Sequence, residues 1–408
     1  MTMKLPEADW QRREGMSALL KALGADEGLT RFVGGSVRDT LLGLDVSDVD
    51  LATRVPPDEV LRRLDRAGIK AVPTGVDHGT ITAVLRSGHV EVTTLRRDVS
   101  TDGRRATVAF TDDWREDAAR RDFTINALSV DPESREIFDY FEGLHDLEAH
   151  RLRFIGDPLV RIAEDHLRIL RFFRFHARFG KGEPDPAALA ACAARANDLM
   201  ALSRERIADE LLKLLALPRP APTVELMLEH GILLPVLPEI ERGAAEKLAH
   251  LVDREASVGL PADPVRRLAA LLDPEPQVAA AVATRLRLSN KAAKRLVVAS
   301  EREAADHFEP ELLVYQVGLD HAVDRLLLSG GDQFGTNEHV RKLLGWETPK
   351  FPLKGKELIA MGLKPGPLVA KTLAAIEREW AHGGFTADVG WVRKRAQLHV
   401  DQALRDSQ

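Results

Sequence analysis

The feature that most constrains the fold of this chain is a change in hydrophobic pattern near residue 150. Before that point, short β-prone runs alternate with helical segments, and residues 90–95 alternate between two kinds of side chain with period two. Such alternation is typical of a strand with two different faces. After that point, apolar residues recur at spacings of three and four, as in 159–179, which is typical of amphipathic helices. The pattern predicts an α/β head of mixed topology followed by helices.

The same patterns predict particular elements and a division into domains. Predicted strands lie at 30–33, 47–52, 80–85 and 89–95, and predicted helices lie at 57–67, 159–179 and 186–199, with a further helix beginning after Ser203. The proline-rich stretch at 218–222 interrupts the helical pattern and marks a boundary. We therefore predict a head over residues 1–150, a helical neck over 151–217, and a helical body and tail over 218–408.

Composition excludes several classes of protein. Hydrophobic residues make up 44% and charged residues 29% of the 408 residues, which is typical of a globular chain in water. Cys192 is the one cysteine, so an intrachain disulfide and a cysteine-based zinc site are excluded. The N-terminus has no apolar signal core, and no run of about 18 apolar residues occurs. We expect a cytoplasmic protein without a membrane span, and the sequence implies no protein partner.

The charge of the chain neither predicts nor excludes a nucleic-acid partner. The formal net charge is −6, which gives no support for binding of nucleic acid. Phosphate is nevertheless bound by local basic patches, and these occur: five arginines lie between residues 161 and 178, and residues 393–395 form a basic run. The decision therefore rests on motifs.

The first motif is RFVGGSVRDTLLGLDVSDVDLAT, residues 31–53. Gly34 and Gly35 allow the backbone to turn between a strand and a helix, and a helix N-terminus reached through glycines suits a phosphate. Arg38 adds a charge-assisted contact. Asp48 and Asp50, at i and i+2, point to the same face if both lie on a strand. Two carboxylates side by side suit Mg²⁺ and predict a phosphoryl or nucleotidyl transferase.

This ordered combination resembles the signature of the class II CCA-adding enzymes and bacterial poly(A) polymerases, which have a polymerase-β-like nucleotidyltransferase head. The specific resemblance covers residues 30–215, and the C-terminal half matches loosely. It implies a head with a mixed sheet followed by an all-α neck, body and tail. It also implies that the substrates are CTP, ATP and the 3′ end of tRNA, and that Mg²⁺ is the cofactor. Glu91 is left open as a third carboxylate near the metals.

Residues 116–128, EDAARRDFTINAL, resemble the second motif of this family. Arg121 is suited to pair with the triphosphate of a nucleotide. Asp122 can accept a hydrogen bond from a ribose 2′-hydroxyl, which selects ribonucleotides. Asn126 is a second polar contact. Taken alone, the segment is also explained as a surface helix with ion pairs along one side.

Residues 164–174, EDHLRILRFFR, resemble the third motif. Cytosine and adenine each present an amino donor beside a ring-nitrogen acceptor, so a carboxylate with a guanidinium recognises both and rejects uracil and guanine. The resemblance implies this role for Asp165 and Arg168, with Arg171 and Arg174 nearby. On a continuous helix, Asp165, Arg168 and Arg171 share one face.

Several alternatives remain open from the sequence. A bacterial poly(A) polymerase shares all three motifs, but residues 71–85 lack the basic and aromatic run that we associate with those enzymes. Addition of only CC or only A is a second alternative. A non-catalytic tRNA-binding protein on an inactive head is a third, and the intact pair Asp48 and Asp50 argues against it. A sugar-nucleotide transferase would leave Asp165 and Arg168 unexplained.

Overall fold

A computed structural model describes residues 3–75, 79–101, 106–329, 335–386 and 388–405, without the side chains of 98–101 and 106–108. Part of the stretch at 71–85, residues 76–78, lies outside this description. The chain forms two compact units, Met1–Arg242 and Gly243–Gln408. The division into three domains stays a prediction, and the proline-rich stretch at 218–222 lies inside the first unit.

The first unit is built on a mixed sheet. Its strands are β1 (Thr30–Val33), β2 (Asp50–Thr53), β3 (Lys70–Gly75), β4 (Thr80–Leu85), β5 (Gly88–Thr94), β6 (Arg96–Thr101), β7 (Ala106–Phe110), β8 (Ser129–Val130) and β9 (Ile137–Phe138). Seven of them form one sheet in the order β3-β4-β5-β2-β1-β8-β9, and β6 and β7 form a separate hairpin. The pair β2 and β5 is parallel and its neighbours in the sheet are antiparallel. The predicted mixed topology is confirmed.

The early helices of the first unit alternate with the strands, and the later helices follow the last strand along the chain. They are α1 (Met16–Ala22), α2 (Gly35–Leu41), α3 (Pro57–Arg66), α4 (Trp114–Ala119), α5 (Gly143–Glu148), α6 (Pro158–Glu164), α7 (Arg168–Phe179), α8 (Pro186–Ala194), α9 (Arg204–Leu215) and α10 (Ala221–Glu229). A short 3₁₀ helix, Thr124–Asn126, precedes β8. Beyond β9 the described part of this unit contains helices without further strands, as the hydrophobic pattern predicted.

The two faces of the sheet have different surroundings. On one face, Phe32, Leu51 and Val92 pack in a core with α1 and α3, to which Leu19 and Leu64 belong. This is the apolar half of the period-two pattern. The opposite face has a small cluster at Val33, Ala52, Leu95 and Trp114, and beyond it the strands carry polar side chains. Asp50, which pairs with Val33 across the sheet, stands on this second face.

The predicted continuous helix over 159–179 is wrong. The segment forms α6 and α7, separated at residues 165–167, because the backbone of Asp165 is extended, with φ −151° and ψ 106°. The side chain of Asp165 accepts a hydrogen bond from the Leu167 N–H at 3.1 Å, so it starts the second helix rather than continuing the first. Asp165 therefore does not share a helix face with Arg168 and Arg171.

A cluster of phenylalanines fixes the second motif to α7. The ring centroid of Phe123 lies 4.9 Å from that of Phe154 and 5.3 Å from that of Phe175, and Phe154 stacks on Phe172 at 5.7 Å. These rings bury a large apolar area and have few rotamers, so they set the position of their neighbours. Asp122, adjacent to Phe123, is thereby placed beside the arginines of α7.

The second unit is helical throughout the residues that the structure describes. Its helices are α11 (Ala244–Ser257), α12 (Pro264–Ala270), α13 (Pro276–Arg285), α14 (Asn290–Ser300), α15 (Pro310–Val317), α16 (Leu319–Ser329), α17 (Thr336–Leu344), α18 (Gly355–Ala360), α19 (Pro367–His382) and α20 (Val389–Arg405). A buried ion network lies inside it: Glu255 accepts hydrogen bonds from Arg266 at 2.7 Å and from Arg267 at 2.8 Å. None of the described helices in either unit is both long and apolar enough to cross a membrane.

Candidate active site

A cavity of about 610 Å³ in the first unit brings most of the predicted site residues together. The predicted residues that line it are Gly34, Gly35, Arg38, Asp48, Asp50, Arg121, Asp122, Asn126, Asp165, Arg168 and Arg171. They come from three sequence motifs that are separated by up to about a hundred residues, and carboxylates and arginines face each other across the space. The cavity is therefore built for a ligand with both negative charge and hydrogen-bonding edges.

The two aspartates of the first motif occupy different structural positions. Asp50 is the first residue of β2 and is partly buried, whereas Asp48 precedes the strand and is exposed. The prediction that both lie on the strand is wrong for Asp48. Both nevertheless line the cavity, and the Asp48 carboxylate accepts a hydrogen bond from the Ser47 hydroxyl at 2.9 Å. The pair offers two sets of carboxylate oxygens at one end of the cavity.

Negative charge is concentrated around Asp50. Burial raises the pKa of its carboxyl from 3.8 to about 6, with further contributions from the charges of Glu91 and Asp48, while Arg121 opposes the change. Glu91 pairs with Asp50 in register on the parallel strand β5, but it is exposed and does not line the cavity. A bound divalent cation would relieve this repulsion, and hard oxygen donors of this kind suit it. The residues present therefore fit a divalent metal.

We expect Asp50→Asn to stabilise the protein in the absence of metal. Because the folded-state pKa of Asp50 is raised, its carboxylate destabilises the fold above about pH 6, and this effect is lost as the pH falls toward 4. In EDTA the substitution should raise the free energy of unfolding by about 1–2 kcal/mol at pH 7.5 and by clearly less at pH 4.5, which lies between the unfolded and folded pKa values. Denaturant unfolding at both pH values measures this.

The same experiment repeated in Mg²⁺ provides its control. Cation binding to the native state stabilises the unsubstituted protein through linkage and should stabilise the Asp50→Asn variant much less. Equal effects of the substitution at both pH values would show that Asp50 carries no unfavourable charge.

The turn before α2 requires glycine at residue 34. Gly34 has φ 71° and ψ −131°, a conformation that side chains with a Cβ rarely adopt. A Cβ built at this position would lie 3.2 Å from Nη1 of Arg121 and 3.7 Å from Oδ2 of Asp50. The turn therefore leaves the backbone open between a cation and a carboxylate, as expected where a metal-bound phosphate lies. Helix α2 begins directly after this turn, at Gly35.

Arg38 is more deeply buried than a phosphate-binding arginine on a helix surface would be. Its Nε donates to Asp39 at 2.8 Å, its Nη1 donates to the Asn126 side chain, and its guanidinium lies 4.2 Å from the Phe179 ring centroid. Burial lowers the pKa of Arg38, although Asp39 opposes this effect. Arg38 reaches the cavity with one edge and ties α2 to the second motif.

Asp122 is oriented by four hydrogen bonds. Oδ2 accepts from Nε of Arg171 at 2.8 Å and from Nη2 at 2.5 Å, and Oδ1 accepts from Asn126 Nδ2 and the Phe123 N–H at 2.9 Å each. Burial alone would raise the pKa of Asp122, but the Arg171 charge and these hydrogen bonds outweigh it and lower the pKa. The carboxylate is therefore ionised and held as a hydrogen-bond acceptor facing the cavity.

Asp165 and Arg168 are both held in place by neighbours. Oδ2 of Asp165 accepts from Nη2 of Arg206 on α9 at 2.8 Å. Nη1 of Arg168 donates to Glu164 at 2.5 Å and to the Arg161 carbonyl at 2.8 Å. Each group keeps further hydrogen-bonding capacity, because a carboxylate accepts about four hydrogen bonds and a guanidinium donates five. The residues on α6 and α9 therefore fix the orientation of this pair.

Arg174 is the predicted site residue that the cavity does not include. It lies on α7, but its Nε donates to Glu210 at 2.6 Å and its side chain is 13% exposed. Assigning it to the nucleotide site is therefore not supported by its position. Residues 171 and 174 lie only about 60° apart around a helix, so the helical period does not separate them. The hydrogen bond to Glu210 on α9 is what holds the Arg174 side chain outside the cavity lining.

Sequence reasoning missed five residues that line the cavity. They are Asp39, Val46, Ser47, Phe175 and Arg178. Phe175 and Arg178 follow Arg171 at i+4 and i+7, so the helical period could have identified both. Arg178 pairs with Asp39 of α2 at 3.4 Å, a contact between residues 139 positions apart that no local pattern predicts.

Comparison with known proteins gives consistent matches. Residues 30–153 match the family model described as the Poly A polymerase head domain, and residues 183–243 match one described as a probable RNA- and SrmB-binding site of polymerase A. The chain is 34% identical to a human protein named CCA tRNA nucleotidyltransferase 1, mitochondrial, over 94% of this chain and 90% of the relative. It is 32% identical to a CCA-adding enzyme of Limosilactobacillus fermentum, over 90% of this chain and 92% of the relative.

A solved structure agrees with these relatives. The crystal structure of the Bacillus stearothermophilus CCA-adding enzyme in complex with CTP superposes with a TM-score of 0.75 at 27% identity. The superposition covers 95% of this chain and 98% of the other, so it includes the head and the helical remainder alike.

Proposed function

This chain belongs to the family of CCA-adding tRNA nucleotidyltransferases, and we infer that the cavity described above is its active site. The protein is an enzyme that adds C, C and A from CTP and ATP to the 3′ end of tRNA and releases pyrophosphate. Its head is of the polymerase-β-like nucleotidyltransferase type. One observation carries the assignment of the site: the carboxylates of Asp50, Asp122 and Asp165, from three separate motifs, line a single cavity with arginines.

Asp48 and Asp50 are proposed to hold the divalent cations that this family requires, and we propose Mg²⁺ as the cation. When bound, Mg²⁺ lowers the pKa of the attacking tRNA 3′-hydroxyl and neutralises charge on the triphosphate. The concentrated negative charge at Asp50 supports this assignment, because it favours cation binding. Since the reaction is a direct displacement at the α-phosphate, no side chain needs to form a covalent intermediate.

The remaining lining residues are proposed to bind the nucleotide. The Gly34 turn and Arg121 receive the triphosphate. Arg38, which also lines the cavity, ties α2 to the second motif through its hydrogen bond to Asn126. Asp122 accepts from the ribose 2′-hydroxyl by exchanging one of its four hydrogen bonds for this one, while the rest of its contacts with Arg171 and Asn126 keep its orientation. These assignments place the triphosphate next to Asp50, where nucleotidyl transfer requires it.

Asp165 and Arg168 are proposed to read the base. A carboxylate that accepts from an exocyclic amino group, beside a guanidinium that donates to a ring nitrogen, is complementary to cytosine and adenine and mismatched with uracil and guanine. Their contacts with Arg206 and Glu164 support this role, because a template made of side chains must be held in one orientation.

End-labelled tRNA extension tests the proposed function. Transcripts lacking CCA, CA or only A are incubated with Mg²⁺ and with CTP, ATP or both. We expect two C and then one A on the first transcript, CA on the second and A on the third. A long A ladder from ATP alone on any RNA would instead indicate poly(A) polymerase, and addition of only CC or only A would indicate a partial activity. No extension under any condition would favour a tRNA-binding protein without catalysis.

We propose that the enzyme acts in the cytoplasm, as the sequence composition suggests. The animal relatives are named as mitochondrial, so the compartment needs a direct measurement. Immunodetection of the native protein in cell fractions provides that measurement, and recovery in an organelle fraction would contradict the proposal.

A further inference from the structure

The buried carboxylate of Asp117 contacts Arg121, the arginine proposed to bind phosphate, but does not line the cavity. Asp117 lies on α4, its side chain is 4% exposed, and it is absent from the cavity lining. Its Oδ2 accepts from Nη2 of Arg121 at 3.3 Å, and its Oδ1 accepts from Nε of Arg120 at 2.8 Å and from the Arg96 N–H at 3.3 Å. A buried carboxylate with three such donors is a fixed anchor.

The backbone that carries Arg121 is fixed independently of Asp117. Nη2 of Arg161 donates to the carbonyl of Arg120 at 2.5 Å and to that of Arg121 at 2.6 Å. Arg161 is itself buried and paired with Glu164 on α6. Asp117 therefore acts on the direction of the Arg121 side chain rather than on the course of the backbone. Its partner in this is the Asn126 carbonyl, which accepts a long hydrogen bond from Nη1 of Arg121 at 3.5 Å.

The direction of the Arg121 side chain matters because its guanidinium lies near both the Gly34 turn and the Asp50 carboxylate. Nη1 of Arg121 and Oδ2 of Asp50 both lie within 4 Å of the point where a Cβ on Gly34 would stand, at 3.2 and 3.7 Å. A guanidinium between two carboxylates can pair with either of them. If it turned forward to pair with Asp50, it would occupy oxygens that the metal needs and leave the phosphate position.

We propose that Asp117 is a positioning residue that holds Arg121 over the Gly34 turn and away from Asp50. The charge on Asp117 holds Nη2 of Arg121 outside the cavity. Nη1 is then presented to the triphosphate at the Gly34 turn, and Asp50 stays available to a cation. This inference rests on the proposed function of Arg121. It assigns two effects to one buried carboxylate that touches neither substrate nor metal: tighter binding of triphosphate and a lower requirement for Mg²⁺.

The test uses the full chain with Asp117→Asn, which keeps the shape of the side chain and removes its charge. Binding of CTP and of CMP is measured by calorimetry without tRNA, and the Mg²⁺ concentration for half-maximal CCA addition is measured separately. We expect the affinity for CTP to fall on the order of tenfold, the affinity for CMP to change less than about twofold, and the Mg²⁺ requirement to rise several-fold. A role confined to stability would affect CTP and CMP alike.

Two further variants make the outcome decisive. In the background of Arg121→Ala, Asp117→Asn should have little additional effect on CTP affinity, because the carboxylate acts through that arginine. Glu255→Gln, in the second unit, also removes a buried charge that holds two adjacent arginines, and it should leave the CTP to CMP ratio unchanged.

The outcomes separate this inference from the proposed function. If Arg121→Ala weakens CTP binding and Asp117→Asn does not, or if the two substitutions add fully in the double variant, the positioning role is overturned and the site assignment stands. If Arg121→Ala itself leaves CTP affinity unchanged, the assignment of the triphosphate site fails as well. If Asp117→Asn does not fold, Asp117→Glu is measured in the same assays, and a retained preference for CTP with an unchanged Mg²⁺ requirement supports the role of charge.

Discussion

Asp50→Ala should reduce the rate of nucleotide addition to tRNA by more than about a thousandfold while the protein remains folded. A thousandfold loss corresponds to about 4 kcal/mol of transition-state stabilisation, which is the scale expected when a metal-binding carboxylate is removed. Unlike Asp48, Asp50 belongs to a strand: it is the first residue of β2, which pairs with β1 on one side and β5 on the other. Single-turnover extension of labelled tRNA with CTP at saturating Mg²⁺ measures the loss.

The matched control for this prediction is Asp45→Ala. Asp45 is an exposed aspartate in the same loop, three residues before Asp48, and it does not line the cavity. Its substitution should change the rate less than about twofold, as is usual for surface positions. If Asp50→Ala retained more than about a tenth of the activity at the same folded fraction, the assignment of divalent-cation binding to Asp48 and Asp50 would be wrong.

Asp165→Ala should relax the choice of base as well as slow the reaction. Without the carboxylate, the exocyclic amino group of cytosine or adenine loses its acceptor, and uracil and guanine are no longer repelled. A good bidentate contact contributes about 1–3 kcal/mol of discrimination. We therefore expect the preference for CTP over UTP to fall by about 10- to 100-fold. Ratios of kcat/KM for CTP, ATP, UTP and GTP on the appropriate tRNA transcripts measure this change.

Asp198→Ala is the control for Asp165→Ala. The two carboxylates are equally exposed, at 30% and 31% of the side chain, and each pairs with one arginine, Arg195 at 2.6 Å and Arg206 at 2.8 Å. Asp198 does not line the cavity, so its loss should leave base selection unchanged. Unaltered selection in Asp165→Ala would mean that the base is read by other groups and would contradict the proposed template.

The head illustrates how far local pattern carries. Residues 30–33 and 80–85 form strands at the positions predicted, and α3 ends within a residue of its predicted end, because alternation and helical period report directly on which side chains are buried. The predicted strand 47–52 is observed at Asp50–Thr53, and the predicted helix 186–199 ends at Ala194. The predicted helix 159–179 is interrupted where a polar side chain interacts locally with the backbone. Asp165 breaks a helix that its apolar neighbours would continue, since hydrogen bonding to Leu167 competes with helical geometry.

In the candidate site, too, local sequence patterns predicted some features and not others. Its residue types and their chemistry could be read from three motifs, and all but one of the predicted residues line the cavity. The partners that orient these residues could not be predicted from the motifs. Arg206 holds Asp165 across 41 positions and Arg171 holds Asp122 across 49, and neither distance corresponds to a period of helix or strand.

The sequence by itself determined the order of the folded parts, the family and the groups that carry the chemistry, because periodicity and short motifs are local properties of a chain. Only the tertiary structure decided which arginine serves which carboxylate, why Arg174 faces away from the cavity, and that Asp117 stands behind Arg121. These choices depend on distances between elements far apart in sequence. They are set by the packing of the sheet, the phenylalanine cluster and α7, which no local pattern encodes.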